Sequence, residues 1–255
     1  MLTVIIVAPA FAPARALAAS IDFPPNAEFE IRNQAGQVIG HARYTVTQDG
    51  PHLMHVKGEN RFLNGEYDAE SERIEDREGG QLPVMISSQH LFYSASRVLV
   101  QGSEADYRAG SATCYENSNG VVTPVTAKLD FLPDTYSGAA LVIPMRHYLR
   151  QGQRSEIKMH AFNCIPGPKV TAVMAAAKPP ARWGNFPGEL VQMTVKPDFG
   201  WLNVLVAPFV PEIRPWFNPA SDWDFVGGDF SRFYKGPQVV LVRVANHDLS
   251  QRGGN

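Results

Sequence analysis

The chain has 255 residues, 44% of them hydrophobic, with 23 Lys and Arg against 25 Asp and Glu, for a net charge of −2. That apolar share is sufficient for a core, and the near-neutral balance excludes the basic face that nucleic acid or an anionic membrane would require. The 21 Gly and 20 Pro imply many turns rather than long helices.

At the start of the chain Leu2 to Val7 is an apolar run, Ala/Pro-rich sequence follows, and Ala16-Leu17-Ala18 offers small residues for cleavage. Residues 1–19 are therefore expected to be a secretory signal peptide, although no Lys or Arg precedes the run. A buried first strand is the competing reading. The run is too short to span a bilayer, which takes about 20 residues. No Cys follows the cleavage site to carry a lipid. The expected location is periplasmic or secreted, with a single β domain over 20–246 and a flexible tail over 247–255.

Residues 28–47 read as a hairpin. Phe29 and Ile31 alternate with Glu28 and Glu30, Asn33 to Gly36 turns the chain, and Val38, Gly40, Ala42, Tyr44 and Val46 share one face. In the next hairpin Asn64-Gly65 is the preferred pair for a two-residue type I′ turn. That turn sets Phe62 opposite Tyr67, Val56 opposite Arg73, Arg61 opposite Asp68, Lys57 opposite Glu72 and Glu59 opposite Glu70. Glu66, Asp68, Glu70 and Glu72 then form a solvated outer face.

Gly79-Gly80 and Asn119-Gly120 give further turns. Strand-like runs recur at Leu82–Tyr93, Arg97–Tyr107, Ala112–Asn117, Val121–Leu129, Glu156–Asn163, Val170–Ala176, Leu190–Lys196, Trp201–Val206 and Gln238–Ala245. One helix is expected over about 134–150, capped by Asp134 or Thr135 and kinked at Pro144. The fold class is mainly β: an antiparallel meander forming a β-roll or half-open barrel, with that helix packed on it.

Cys114 and Cys164 suggest one disulfide in an oxidising compartment, closing a loop of about 50 residues; two buried thiols are the alternative. Neither has the spacing of a zinc site. G-x-S-x-G, H-E-x-x-H, a P-loop and G-x-G-x-x-G are all absent, so no catalytic residue, cofactor or metal is assigned. The seven His are scattered. His52 and His55 point to opposite faces of a strand and cannot chelate one metal, whereas His41, His90 and His160, in separate runs, could meet in space.

All four Trp fall between residues 183 and 223. The Pro- and aromatic-rich segment 199–234 is expected to form loops closing the roll. Trp201, Trp216, Phe217, Trp223 and Phe225 are the candidate contacts for an apolar or amphiphilic ligand, with Arg214 and Arg232 orienting it at the rim. The same aromatics as plain core are the alternative.

The order of elements, with Phe29-Glu30-Ile31-Arg32, Val38-Ile39-Gly40, an acidic strand from Gly65 to Arg73 ending near Leu82-Pro83, and an Asp-led helix, resembles an uncharacterised family of bacterial periplasmic proteins with a spiral β-roll. That family is similar in shape to the lipoprotein-carrier proteins, half-open barrels with a hydrophobic cradle and a helical lid. The resemblance covers residues 25–206 and implies a β-roll with a binding or envelope-maintenance role, carrying no catalytic residue. The leading expectation is a non-enzymatic binding protein for a lipid or other amphiphile, or for an envelope protein. The alternatives are an envelope hydrolase using Glu59, Glu70 or Asp222, and an assembly protein with no small ligand. Oligomeric state is left open.

Overall fold

The structure is a computed structural model that describes residues 26–77, 81–153, 156–164, 167–198, 212–232 and 236–244. The signal peptide, Gly79-Gly80, the run Trp201–Val206 and the tail 247–255 lie outside the described residues.

Among the described residues, fifteen strands form one continuous sheet. The first half is β1 (Ala27–Arg32), β2 (Val38–Gln48), β3 (Leu53–Phe62), β4 (Tyr67–Glu75), β5 (Val84–Tyr93), β6 (Leu99–Asp106), β7 (Ser111–Ser118) and β8 (Val121–Lys128). The second is β9 (Thr135–Tyr136), β10 (Ile157–Cys164), β11 (Pro168–Ala177), β12 (Val191–Pro197), β13 (Arg214–Asn218), β14 (Asp224–Ser231) and β15 (Gln238–Arg243). In space the order runs from β8 down to β1, then β15 down to β9, antiparallel throughout except for the parallel bridge between β9 and β10. The chain thus starts mid-sheet, meanders to one edge, crosses to the opposite edge and meanders back.

The crossover carries a 3-10 turn (Gly138–Leu141) and helix α1 (Val142–Arg150). The sheet curls without closing into a hydrogen-bonded barrel, and β7 and β8 come to lie against β11. The Cys114–Cys164 disulfide, with Cα atoms 5.7 Å apart, joins β7 to β10 across that seam. Tyr107, Phe131 and Phe162 pack beside it, with ring centroids 4.4–6.5 Å apart. The inner face holds a core that includes Phe29, Ile31, Val56, Ile74, Met145, Met193 and Phe217.

Alternation on β1 and β2 stands as the sequence implies, with Phe29, Ile31, Ala42 and Tyr44 buried. Asn119-Gly120 makes the two-residue turn, both residues at positive φ, and Ser118 faces Val121.

The Asn64-Gly65 hairpin departs from the expected register by one residue. Its loop is Leu63-Asn64-Gly65: the Gly65 N–H donates to the Phe62 carbonyl at 3.0 Å, the Phe62 N–H donates to the Glu66 carbonyl at 3.0 Å, and Gly65 sits at φ +88°. That is a type I turn closed by a left-handed glycine, which adds a residue to the loop. Arg61 therefore faces Tyr67, Asn60 faces Asp68, Gly58 faces Glu70 and Val56 faces Glu72. Asp68 and Glu72 are buried, 0% and 1% exposed, where a solvated face was expected. Glu59 points outward to Arg61, so it does not face Glu70.

The helix also starts later than expected. The Asp134 carboxylate is engaged by His160 Nδ1 at 2.9 Å, and Thr135 and Tyr136 pair with β10, leaving neither free to cap a helix. Pro144 falls in the first turn of α1, where its missing N–H costs nothing, so it does not kink the helix. Arg146 donates to the Asp222 carbonyl and to Asp224, and Arg150 pairs with Asp222, pinning α1 on the β13–β14 turn. Within 199–234, the described part from Arg214 to Ser231 is not closing loop but two paired strands of the sheet.

Candidate functional site

Between the inner faces of β3–β5 and of β14–β15, beneath the 3-10 turn and α1, lies a cavity of about 220 Å³. Its greasy wall includes Ile31, Leu141, Met145, Phe225, Phe230 and Leu241. Its polar wall is Tyr44, Asn60, Asp68, Glu70, His90 and Arg232. The one-residue shift of the hairpin is what puts these acids inside. β4 alternates, so Asp68, Glu70 and Glu72 all face inward once one of them does.

Arg232 grips Asp68 from across the roll. Its Nε donates to Oδ2 at 2.9 Å and its Nη2 to Oδ1 at 2.5 Å, while Nη1 pairs with Glu66. The guanidinium also lies 3.9 Å from the Phe62 ring centroid. Burial pushes the Asp68 carboxyl up to about 6 against the pull of Arg232.

Deeper in, the Glu70 carboxylate accepts from the Tyr44 hydroxyl and from Asn60 Nδ2, both at 3.3 Å. His90 Nε2 lies 3.0 Å from Glu72 Oε1. Burial raises the pKa of both glutamates, with His90 opposing it. Burial acts to lower the His90 pKa, but the hydrogen bond and charge of Glu72, with the charge of Glu70, leave it raised. Backbone N–H groups of Ala140 and Ala139 turn toward the Glu72 carboxylate and favour its ionised form, while Oε2 has no partner in hydrogen-bond geometry.

Gly138 is fixed by this cluster. It has φ +50°, and a Cβ there would sit 2.5 Å from Glu72 Oε1 and closer still to the His90 ring. Gly138→Ala is expected to lower stability by about 1–3 kcal/mol through strain and overlap, read as a lower urea midpoint at unchanged slope.

Of the residues singled out from sequence, Phe225 and Arg232 line the cavity. Trp216 does not: it stacks on Trp183 with centroids 5.6 Å apart, in a separate cluster with Leu190 and Val226. Phe217 is fully buried core, and Trp223 packs against that core. Arg214 is exposed and paired with Glu212 at 2.9 Å. Asp222 holds the helix through Arg146 and Arg150. Trp201 lies outside the described residues. His41 is exposed and His160 pairs with Asp134, so His41, His90 and His160 do not form one site. Sequence reading missed Asp68, Glu72 and His90. The usable signal was Gly58, the small residue on β3 that leaves room for the Tyr44 ring and for Glu70 opposite it.

Among the described residues no helix is long and apolar enough to cross a membrane. No family model matches the chain, and no curated protein matches it. Among solved structures it is similar to a β-barrel-like protein of a domain of unknown function, DUF1849, from Brucella abortus: 10% identity, TM-score 0.47, covering 86% of this chain and 94% of that one.

Proposed function

We propose that the chain is an exported β-roll that holds an amphiphilic ligand in its interior, in the periplasm or outside the cell. The observation that carries this reading is the two-walled cavity: an apolar side that includes Phe225, Phe230 and Met145, and a polar side that includes Asn60, Glu70 and His90. Its volume of about 220 Å³ is below the usual range of small-molecule pockets. The ligand is therefore one short apolar chain, or the end of a larger molecule whose remainder leaves past α1. The disulfide supports an oxidising compartment. The domain is read as 20–246 after removal of 1–19.

Protein purified from its native envelope is expected to carry a lipid seen by native mass spectrometry, and the delipidated protein to bind a fluorescent fatty-acid probe. Ala139→Leu, which fills the cavity from the 3-10 turn, is expected to weaken the probe by about tenfold. No co-purifying lipid and no probe binding would sink the reading.

A hydrolase is the second reading. Its Glu59–Glu70 form fails because Glu59 points outward, and its Asp222 form because that acid anchors α1. Glu70, Glu72 and His90, converging beside the cavity, support what remains of it. Turnover of ester or glycan probes that disappears in His90→Gln would favour it.

A further inference from the structure

We propose that Glu70, Glu72 and His90 form a binding site for a first-row divalent transition ion of the zinc type, opening on the cavity. One ligand atom from each residue lies within 4.8 Å of the other two, so an ion at about 2.0–2.2 Å from all three requires only small side-chain movement. The three come from two adjacent strands of a rigid sheet, with Glu70 facing His90 and Glu72 facing Ser88 across β4 and β5.

A second, independent observation points to a ligand. Glu72 is 1% exposed, and although the Ala139 and Ala140 amides lean on its carboxylate, its Oε2 has no partner in hydrogen-bond geometry. A fully buried carboxylate oxygen with unmet lone pairs is costly unless something positive meets it. At Glu70, the buried Oδ1 of Asn60 is unmet as well, while the Nδ2 of the same amide is spent on the Glu70 carboxylate.

Charge gives the same answer. The guanidinium that lines the cavity, Arg232, is committed to Asp68 and Glu66. The side chains that meet Glu70 and Glu72 are Tyr44, Asn60 and His90, none of them a fixed cation. Two carboxylates and one imidazole are a mixed oxygen and nitrogen set. That suits zinc-like ions, which bind three protein ligands and keep one open position. It suits calcium poorly, because calcium takes six or more oxygens. The open position would face the cavity lined by Glu70 and His90. This inference does not depend on the amphiphile reading.

The test uses the full chain, freed of metal with a chelator and titrated with Zn²⁺ by calorimetry and with Co²⁺ by visible absorption. One equivalent of Zn²⁺ is expected, and a Co²⁺ spectrum of low coordination number. Glu70→Gln and His90→Gln are each expected to weaken Zn²⁺ binding by about 100-fold or more. His55→Gln and His160→Gln, at two His–Asp pairs elsewhere in the sheet, should leave it unchanged. Should a site variant fail to fold, as judged by near-UV circular dichroism, the wild-type protein decides: Zn²⁺ must shift the imidazole resonances of His90 rather than those of another histidine. Absence of binding, binding that survives in folded Glu70→Gln and His90→Gln, or a shift at a different histidine would each overturn the proposal.

Discussion

Replacing Arg232 by Met is expected to remove about 3–5 kcal/mol of stability, the usual cost of stripping the partner from a buried charge. Asp68 has a side chain 1% exposed and Arg232 one 8% exposed, so solvent cannot take over for either. The two are also far apart in the chain, on β4 and just beyond β14, with four strands between them in the sheet. Their contact exists only because the sheet curls. Losing it leaves a carboxylate facing the Phe62 ring and the greasy wall. Asp68→Leu combined with Arg232→Met is expected to recover most of the loss, since an apolar pair of similar size is often neutral or better. Urea denaturation of both singles and the double gives the coupling directly. A single Arg232→Met variant within about 1 kcal/mol of wild type would refute the assignment of this pair as a structural tie.

Reduction of the disulfide carries a cost of similar size. A cross-link spanning 50 residues of sequence is expected to contribute about 4 kcal/mol by restricting the unfolded chain. The expectation is a denaturation midpoint that falls strongly in dithiothreitol, and a Cys114→Ser/Cys164→Ser double variant that reproduces the fall without reductant. Because the bond spans the unpaired seam, the first amides to lose exchange protection should be those of β7, β8 and β10. Uniform loss across the whole sheet would indicate that the bond acts on the unfolded chain alone.

Much of the fold was legible in the residues, because period-two alternation is a local property. Phe29, Ile31, Ala42 and Tyr44 fall inside wherever the strands end up. The disulfide needed only an even pair of cysteines and the expectation of export. Register was another matter. Asn119-Gly120 and Asn64-Gly65 are the same dipeptide, yet one makes a two-residue loop and the other belongs to a three-residue loop. Nothing in the dipeptide separates them, and one residue of difference turns a whole strand over. Local charge balance pointed the wrong way, since Arg61 and Lys57 looked like natural partners for Asp68 and Glu72. The true partners, Arg232 and His90, lie 164 and 18 residues away.

The helix boundary failed for a related reason. Asp134 is a good cap in isolation, but a histidine on β10 takes its carboxylate. The aromatic segment failed because Pro and Trp suggest loops, whereas Pro215 and Trp216 sit within a strand whose neighbour carries Gly227-Gly228, Gly228 lying close against Pro215 and Gly227 leaving room for the Trp183 ring.

The strand order also fixes how the roll can be assembled. Most neighbouring strands are consecutive in sequence and can zip as hairpins, quickly and independently, from either half of the chain. The pairing of β1 with β15 brings Phe29 to Arg243 and needs nearly the whole polypeptide in place. That junction sets the slow step. Until it forms, the two half-shells each present an unfinished central border to any other chain nearby.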